Sequence, residues 1–146
     1  HLPVQSGSTT VLDRMRRGYT RDDYLRLVDR ITQTIPGVAI TTDMIAGFCG
    51  ESEQEHKDSL SLVRTVGYDM AYMFAYSMRP GTHAHRNYQD DVEESVKQKR
   101  LRELLDLFYG LQHENSSKYL GTVQQVLVCS EPSKKDNTMC TGRSDA

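Results

Sequence analysis

Apolar and polar positions alternate along this chain in two rhythms, one of strands and one of helices. Leu2 to Gln5 reads as the end of a strand, and Ser6-Gly7-Ser8 turns it into a short helix reaching about Arg16, with Ser8 as N-cap. Gly18 and Tyr19 break that helix. Thr20, with an acid three positions on, opens the next by a capping-box pattern, and Tyr24, Leu27, Val28, Ile31 and Ile35 share one face until Pro36-Gly37 stops it. Val38 to Ile45 is rich in β-branched residues and predicts a buried strand, followed by the turn Gly47-Phe48-Cys49-Gly50. Ser52 and Glu55 form a second capping box, His56, Leu60, Val63 and Val66 follow at helical spacing, and Gly67 stands where a C′ residue belongs. Met70 to Tyr76 predicts a third strand, ending in the turn Arg79-Pro80-Gly81-Thr82.

A long helix is expected from about Val92, capped by Asp90 or Asp91, with Val96, Leu101, Leu104, Leu105, Phe108 and Leu111 on its apolar stripe. Lys97, Lys99, Arg100 and Arg102 lie elsewhere on it and read as a solvated face, an RNA-facing surface being the alternative. From Thr122 to Val128 the pattern becomes alternating, which predicts an all-β element and a domain boundary near Lys118 to Gly121. The polar tail from Ser130 to Ala146 is a loop or the start of that second domain.

Three strand-then-helix units in about ninety residues predict a parallel sheet with crossover helices. In such folds ligands sit at the carboxyl ends of the strands, so the three turns are where chemistry is to be sought. Composition adds little. The 146 residues carry a formal charge of −2, with 37% hydrophobic and 26% charged residues, the profile of a globular segment. No run is long and apolar enough for a membrane span, and no signal-peptide pattern opens the chain. The first residue is His1 rather than Met, from which a piece of a longer protein is expected.

Cys49, Cys129 and Cys140 are odd in number and form no C-x-x-C pair, which argues against a disulfide framework and a structural zinc site. Three free thiols are the reading, with a Cys129 to Cys140 bridge as the alternative. His83 and His85, with His1, make a metal set only on paper; H-x-H alone reads as exposed loop histidines. Glu51 reads by itself as a carboxylate suited to a helix N-terminus. Phe74 and Tyr76 read as core and pocket wall, with an RNA-stacking platform as the other choice.

Four motifs, in order, carry a resemblance. His1 to Ser8 follows H-L-P-x-Q-S-G-S, Met15 to Thr20 follows M-x-R-x-Y-T, Asp43 to Glu51 follows D-x-I-x-G-F-P-G-E, and Ser77 to Thr82 follows S-x-R-P-G-T. In this order they resemble the radical S-adenosylmethionine (SAM) methylthiotransferases of the MiaB type, across essentially the whole chain. Cys49 stands where the family has Pro, a variant resembling the eukaryotic, mitochondrial branch described as cyclin-dependent-kinase-activator-associated. Cys129 and Ser130 stand where an acid and a glycine are usual.

The resemblance implies an α/β fold: the C-terminal half of a partial (β/α) radical-SAM barrel over residues 1–118, followed by the start of a small β-barrel, the TRAM domain, over 119–146. It implies SAM as cofactor and two 4Fe-4S clusters in the full-length protein, with their ligands outside this chain. In such enzymes one SAM supplies a methyl group to sulfur and another is cleaved to a deoxyadenosyl radical that abstracts hydrogen from adenine. The product in that branch is 2-methylthio-isopentenyl-adenosine beside the anticodon, so the implied partners are tRNA, an electron donor and, in eukaryotes, a protein partner. The implied location is mitochondrial, or cytoplasmic in a bacterium.

On that model the SAM cradle draws on Gln5, Ser6, Asp43, Ile45, Gly47, Phe48, Glu51, Phe74 and Ser77, with Arg17 and Arg79 offering guanidinium forks to the methionine carboxylate. Surface salt bridges are the other role for those two arginines. No residue is singled out as catalytic. Two further classes stay open: a non-catalytic RNA- or protein-binding piece, and another barrel enzyme taking a phosphate at the glycine turns. Half a barrel leaves a strand edge and apolar interior exposed, so poor stability in isolation is expected.

Overall fold

The computed structural model describes residues 1–117, 120–133 and 136–144. The expected boundary at Lys118 and Tyr119, the Asp145 end of the tail and the side chain of Cys129 lie outside the described residues.

Parallel pairing organises the first part of the chain. Strand β1 (Thr41–Ala46) lies beside β2 (Met70–Ala75), with Asp43 opposite Tyr72 and Ile45 opposite Phe74. On its other edge β1 takes the extended segment 2–5: Leu2 N–H donates to Thr41 O at 2.7 Å, Gln5 N–H to Asp43 O at 2.9 Å, and Ile45 N–H to Gln5 O at 2.8 Å. The expected first strand is therefore a single bridge and its flanking bonds, and the strand after Gly37 begins only at Thr41. The expectation that this strand is buried changes too. Thr42, Met44 and Ala46 are buried while Thr41, Asp43 and Ile45 are half-exposed, because a period of two sends alternate side chains to opposite faces. On β2, Ala71 and Met73 are buried while Tyr72 and Phe74 stand exposed.

Helix α1 (Thr9–Arg14) follows the first turn; Ser8 occupies the N-cap position but makes no side-chain cap bond, its hydroxyl pairing instead with Thr10 at 2.9 Å. Helices α2 (Arg21–Thr34) and α3 (Glu53–Val66) both start on complete capping boxes, Thr20 with Asp23 and Ser52 with Glu55. Gly67 ends α3 in the left-handed region, at φ 63°. On α2 only Tyr24 and Val28 are buried, and Leu27 and Ile35 are exposed, so its apolar face is narrower than expected.

Helix α4 (His83–Asn87), capped by Thr82, stands where a plain loop was expected. Helix α5 (Glu94–Ser116) packs against α3, β1 and β2. Leu62 and Val63 from α3, Leu104 and Phe108 from α5, Met44 and Tyr68 form the centre of the core. Lys97 and Arg100 are also buried on α5, which corrects the solvated reading for these two; Lys99 and Arg102 are exposed. Strands β3 (Val126–Ser133) and β4 (Asp136–Ser144) form an antiparallel hairpin, in keeping with the change of pattern after Gly121. Among the described residues no helix is long and apolar enough to cross a membrane.

Candidate functional site

The carboxyl ends of segment 2–5, β1 and β2 open into one cavity of about 590 Å³. Gln5, Asp43, Ile45 and Phe48 line it from the first two strand ends, and Phe74, Ser77 and Arg79 from the third. Arg17 closes the side beyond α1. Eight of the eleven residues named for a cradle thus share one surface.

Backbone strain marks the first strand end. Gln5 has φ 72°, in the left-handed region that a residue with a Cβ adopts at a cost of order 1–3 kcal/mol. Both its amide and its carbonyl are bonded to β1, which holds it in this conformation. Asp43 is set by His1, whose ring donates or accepts at Thr41 Oγ1 (2.7 Å) and lies 3.4 Å from the Asp43 carboxylate. Phe48 is buried, edge-on to Tyr76 at 4.9 Å between centroids and to Tyr88 at 6.2 Å. Tyr76 lines the cavity, the pocket-wall role read for it, and so does Phe74.

Three of the eleven do not line the cavity. Ser6 is fully buried and its hydroxyl is used internally, 3.3 Å from Ser59 Oγ and accepting from Ser8 N–H at 3.2 Å. Gly47 has φ 76° and no room for a side chain, since a Cβ there lies 2.4 Å from Lys97 Cγ. Glu51 is 5% exposed and faces inward: its Oε2 accepts from Gly47 N–H at 2.7 Å and from Arg100 Nη1 at 3.1 Å. Burial pushes the Glu51 carboxyl up from the usual range, against the pull of the Gly47 amide and Arg100. Its role is to shape the turn rather than to touch the cavity.

Residues outside the expected set complete the walls: Arg14, Met15, Ala75, Thr82, His83 and Ala84. The M-x-R-x-Y-T stretch begins at Met15, Arg14 lies just before it and had no signal, and α4, which carries His83, had none beyond Thr82 as an N-cap. His83 is half-buried with its Nδ1 2.9 Å from Asn87 Nδ2, while His85 is exposed. Arg14 is tied to Glu55 by two bonds of 2.9 Å. Burial pushes the Glu55 carboxyl up, but bonds from Arg14, the Ser52 amide and the Thr10 hydroxyl outweigh it and hold the pKa at about 2. Arg17 and Arg79, by contrast, are exposed and form no ion pair among the described residues.

Cys49 is a buried free thiol, packed against Tyr76, and is pushed up by burial; the Tyr76 pKa is pushed up to about 12, first by burial. Cys140 is an exposed free thiol. Among the described residues no three His, Cys, Asp or Glu side chains gather as a metal site.

Residues 1–63 match the family model of the radical SAM superfamily. The chain is 55% identical over 145 residues to a "CDK5RAP1-like protein" of Oryza sativa subsp. japonica, covering 99% of this chain and 24% of the relative. It is 50% identical over 145 residues to the "tRNA-2-methylthio-N(6)-dimethylallyladenosine synthase" of Prosthecochloris aestuarii, 99% of this chain and 33% of that one. The protein of the same name from Chlorobaculum tepidum is 50% identical over 144 residues, with 32% of its length covered. The chain thus spans a quarter to a third of the length of these curated relatives. Over residues 1–63, which hold its first two parallel segments, the chain is similar to the radical SAM superfamily, and about half its residues across its own length are identical to those of each of these three relatives.

Proposed function

We propose that this chain is the SAM-cradling part of a tRNA methylthiotransferase that adds a methylthio group to isopentenyl-adenosine next to the anticodon. The observation that carries the reading is the strand-end cavity, which gathers residues from all four ordered motifs onto one surface. Its size lies within the roughly 300–1,000 Å³ range of ligand pockets. Its chemistry fits SAM in kind. Phe48, Phe74 and Ile45 offer apolar wall to an adenine ring, Gln5, Asp43 and Ser77 offer hydrogen-bonding groups to ribose or amine, and the exposed forks of Arg17 and Arg79 suit a carboxylate. When bound, SAM supplies a methyl group and, on reductive cleavage, radical chemistry. The protein's part is to bind and orient it and to keep water from the apolar wall.

The described residues form no ligand set for an iron–sulfur cluster, and Cys49 lies buried against Tyr76. In this reading the two 4Fe-4S clusters and their electron donor belong with other parts of the parent protein. The finer assignments travel with the proposal: a partial (β/α) barrel over 1–118, a TRAM beginning over 119–146, tRNA as substrate, a protein partner, and a mitochondrial location in the eukaryotic branch. The parallel pairing of the first region and the antiparallel hairpin of the second support the division.

Disrupting the gene and measuring tRNA nucleosides by mass spectrometry tests the activity. Loss of methylthio-isopentenyl-adenosine, with isopentenyl-adenosine accumulating, is the expected result. An unchanged methylthio pool would refute it.

A further inference from the structure

Helix α5 contributes nothing to the cavity wall, yet two of its basic side chains are buried against the turn that does. Lys97 and Arg100 are 4% and 6% exposed and sit three residues apart, on one face of the helix. The Lys97 stem fills the space beside Gly47 where any larger residue would carry its Cβ, and its ammonium reaches Asp90 at 2.7 Å. That ammonium also lies 5.6 Å from the centre of the Tyr76 ring, the ring against which Phe48 packs. Arg100 Nη1 donates to Glu51 O at 2.8 Å and to Glu51 Oε2 at 3.1 Å, and the same Oε2 accepts the Gly47 amide. Asp91, just ahead of α5, accepts from Gly50 N–H at 2.6 Å. Both ends of the turn are thus held from outside the cavity.

Burying two cations is costly, and packed apolar residues of similar volume often serve stability as well or better. What an apolar helix face cannot do is hold the Gly47 amide, the Glu51 carbonyl and the Glu51 carboxylate in fixed relation. We infer that Lys97 and Arg100 are positioning residues for the SAM site: acting through the Gly47–Glu51 turn, they set where Phe48 and Ile45 stand without touching the ligand. The inference rests on the SAM-cradle reading above. A displacement of the wall by about 1 Å is enough to cost on the order of 10²-fold in a reaction that depends on alignment.

The test uses the full-length protein with its clusters in place, titrated with SAM and followed in turnover, beside its unfolding midpoint. Arg100→Met alone leaves the Glu51 carboxylate buried and unpaired, so it destabilises whichever account is right. The informative variants are Lys97→Met, which keeps the stem beside Gly47, and the double variant Glu51→Gln with Arg100→Met, which removes both charges together. Expected are unfolding midpoints close to wild type and SAM binding weakened roughly 10- to 100-fold, with KM for SAM rising more than kcat falls. Arg100→Lys, which keeps charge but loses the fork, should fall between. If these variants fold and bind SAM as the wild type does, the two residues are structural only and the inference fails. A cradle variant, Arg79→Met, separates the two ideas: weakening there without weakening at Lys97 or Arg100 overturns the inference alone, while a wild type that does not bind SAM overturns the cradle as well.

Discussion

Replacing Gly7 by Ala should loosen α3 and with it the first strand end. A Cβ at Gly7 meets Asp58 O and Ser59 Cα at 2.5 Å each and Asp58 C at 2.8 Å, all of them backbone atoms of α3. Ordinary contact is about 3.5–4.0 Å, so turn and helix must part by roughly 1 Å. Neither is free to move. Gly7 N–H donates to Ser59 Oγ at 2.9 Å, and Arg21 Nη1 bridges the two backbones by donating to Gly7 O at 2.9 Å and to Asp58 O. Overpacking of this kind costs about 1–3 kcal/mol, and the upper half of that range is expected because no side chain can rotate away. Hydrogen–deuterium exchange of the α3 amides in the full-length protein reads it directly: exchange limited by opening should accelerate roughly 30- to 150-fold. Unchanged α3 protection would refute the reasoning, since it would mean that turn and helix part at little cost. Gly110→Ala is the matched control. It lies within α5 with no atom inside 4 Å of its added Cβ, so it should stabilise by about 0.5–1 kcal/mol through helix propensity.

Glu55→Gln removes the partner of Arg14. With the folded pKa of Glu55 depressed to about 2 from 4.5, its contribution is present above about pH 4.5 and is lost as the pH falls towards 2. That shift corresponds to about 3 kcal/mol, so the variant should show faster exchange in α1 and α3 at pH 7, with the gap from wild type narrowing below about pH 4.5; a gap independent of pH would count against the assignment. Arg79→Met should weaken SAM binding by about tenfold or more, the worth of a hydrogen bond to a charged group, while leaving the unfolding midpoint alone, because Arg79 is exposed and in no ion pair among the described residues. Equal SAM affinity in isothermal titration would remove Arg79 from the cradle.

Local chemistry made much of this chain legible. Thr20 and Ser52 announce their helices because a capping box needs only residues three apart, and Gly67 ends α3 because a left-handed residue there prefers no Cβ. The order of strands and turns, and hence the neighbourhood of Gln5, Asp43, Ile45, Phe48, Phe74 and Arg79, followed from periodicity and from the four motifs. What sequence periodicity did not supply is which face of each element finds a partner. Leu27 and Ile35 share a helical stripe with Tyr24 and Val28 yet stay exposed. Thr41–Ala46 carries β-branched residues on both faces, Thr41 and Ile45 on one and Thr42 on the other, yet only one face is covered.

The charged residues divide in the same way. On a helical wheel Lys97 and Arg100 look as solvated as Lys99 and Arg102. Only the fold brings Glu51, 49 residues earlier in the chain, and Asp90 within reach of them, and a buried cation is tolerable only where such partners meet it. Ser6 and Glu51 belong to motifs that the sequence displays plainly, but their side chains turn to Ser59 and Arg100 instead of the cavity. The sequence by itself determined the four ordered motifs, the caps and the strand-end turns, because these are written in neighbouring residues. Tertiary structure alone decided which of those residues reach the ligand and which hold the turn, because that choice depends on contacts between residues far apart in the chain.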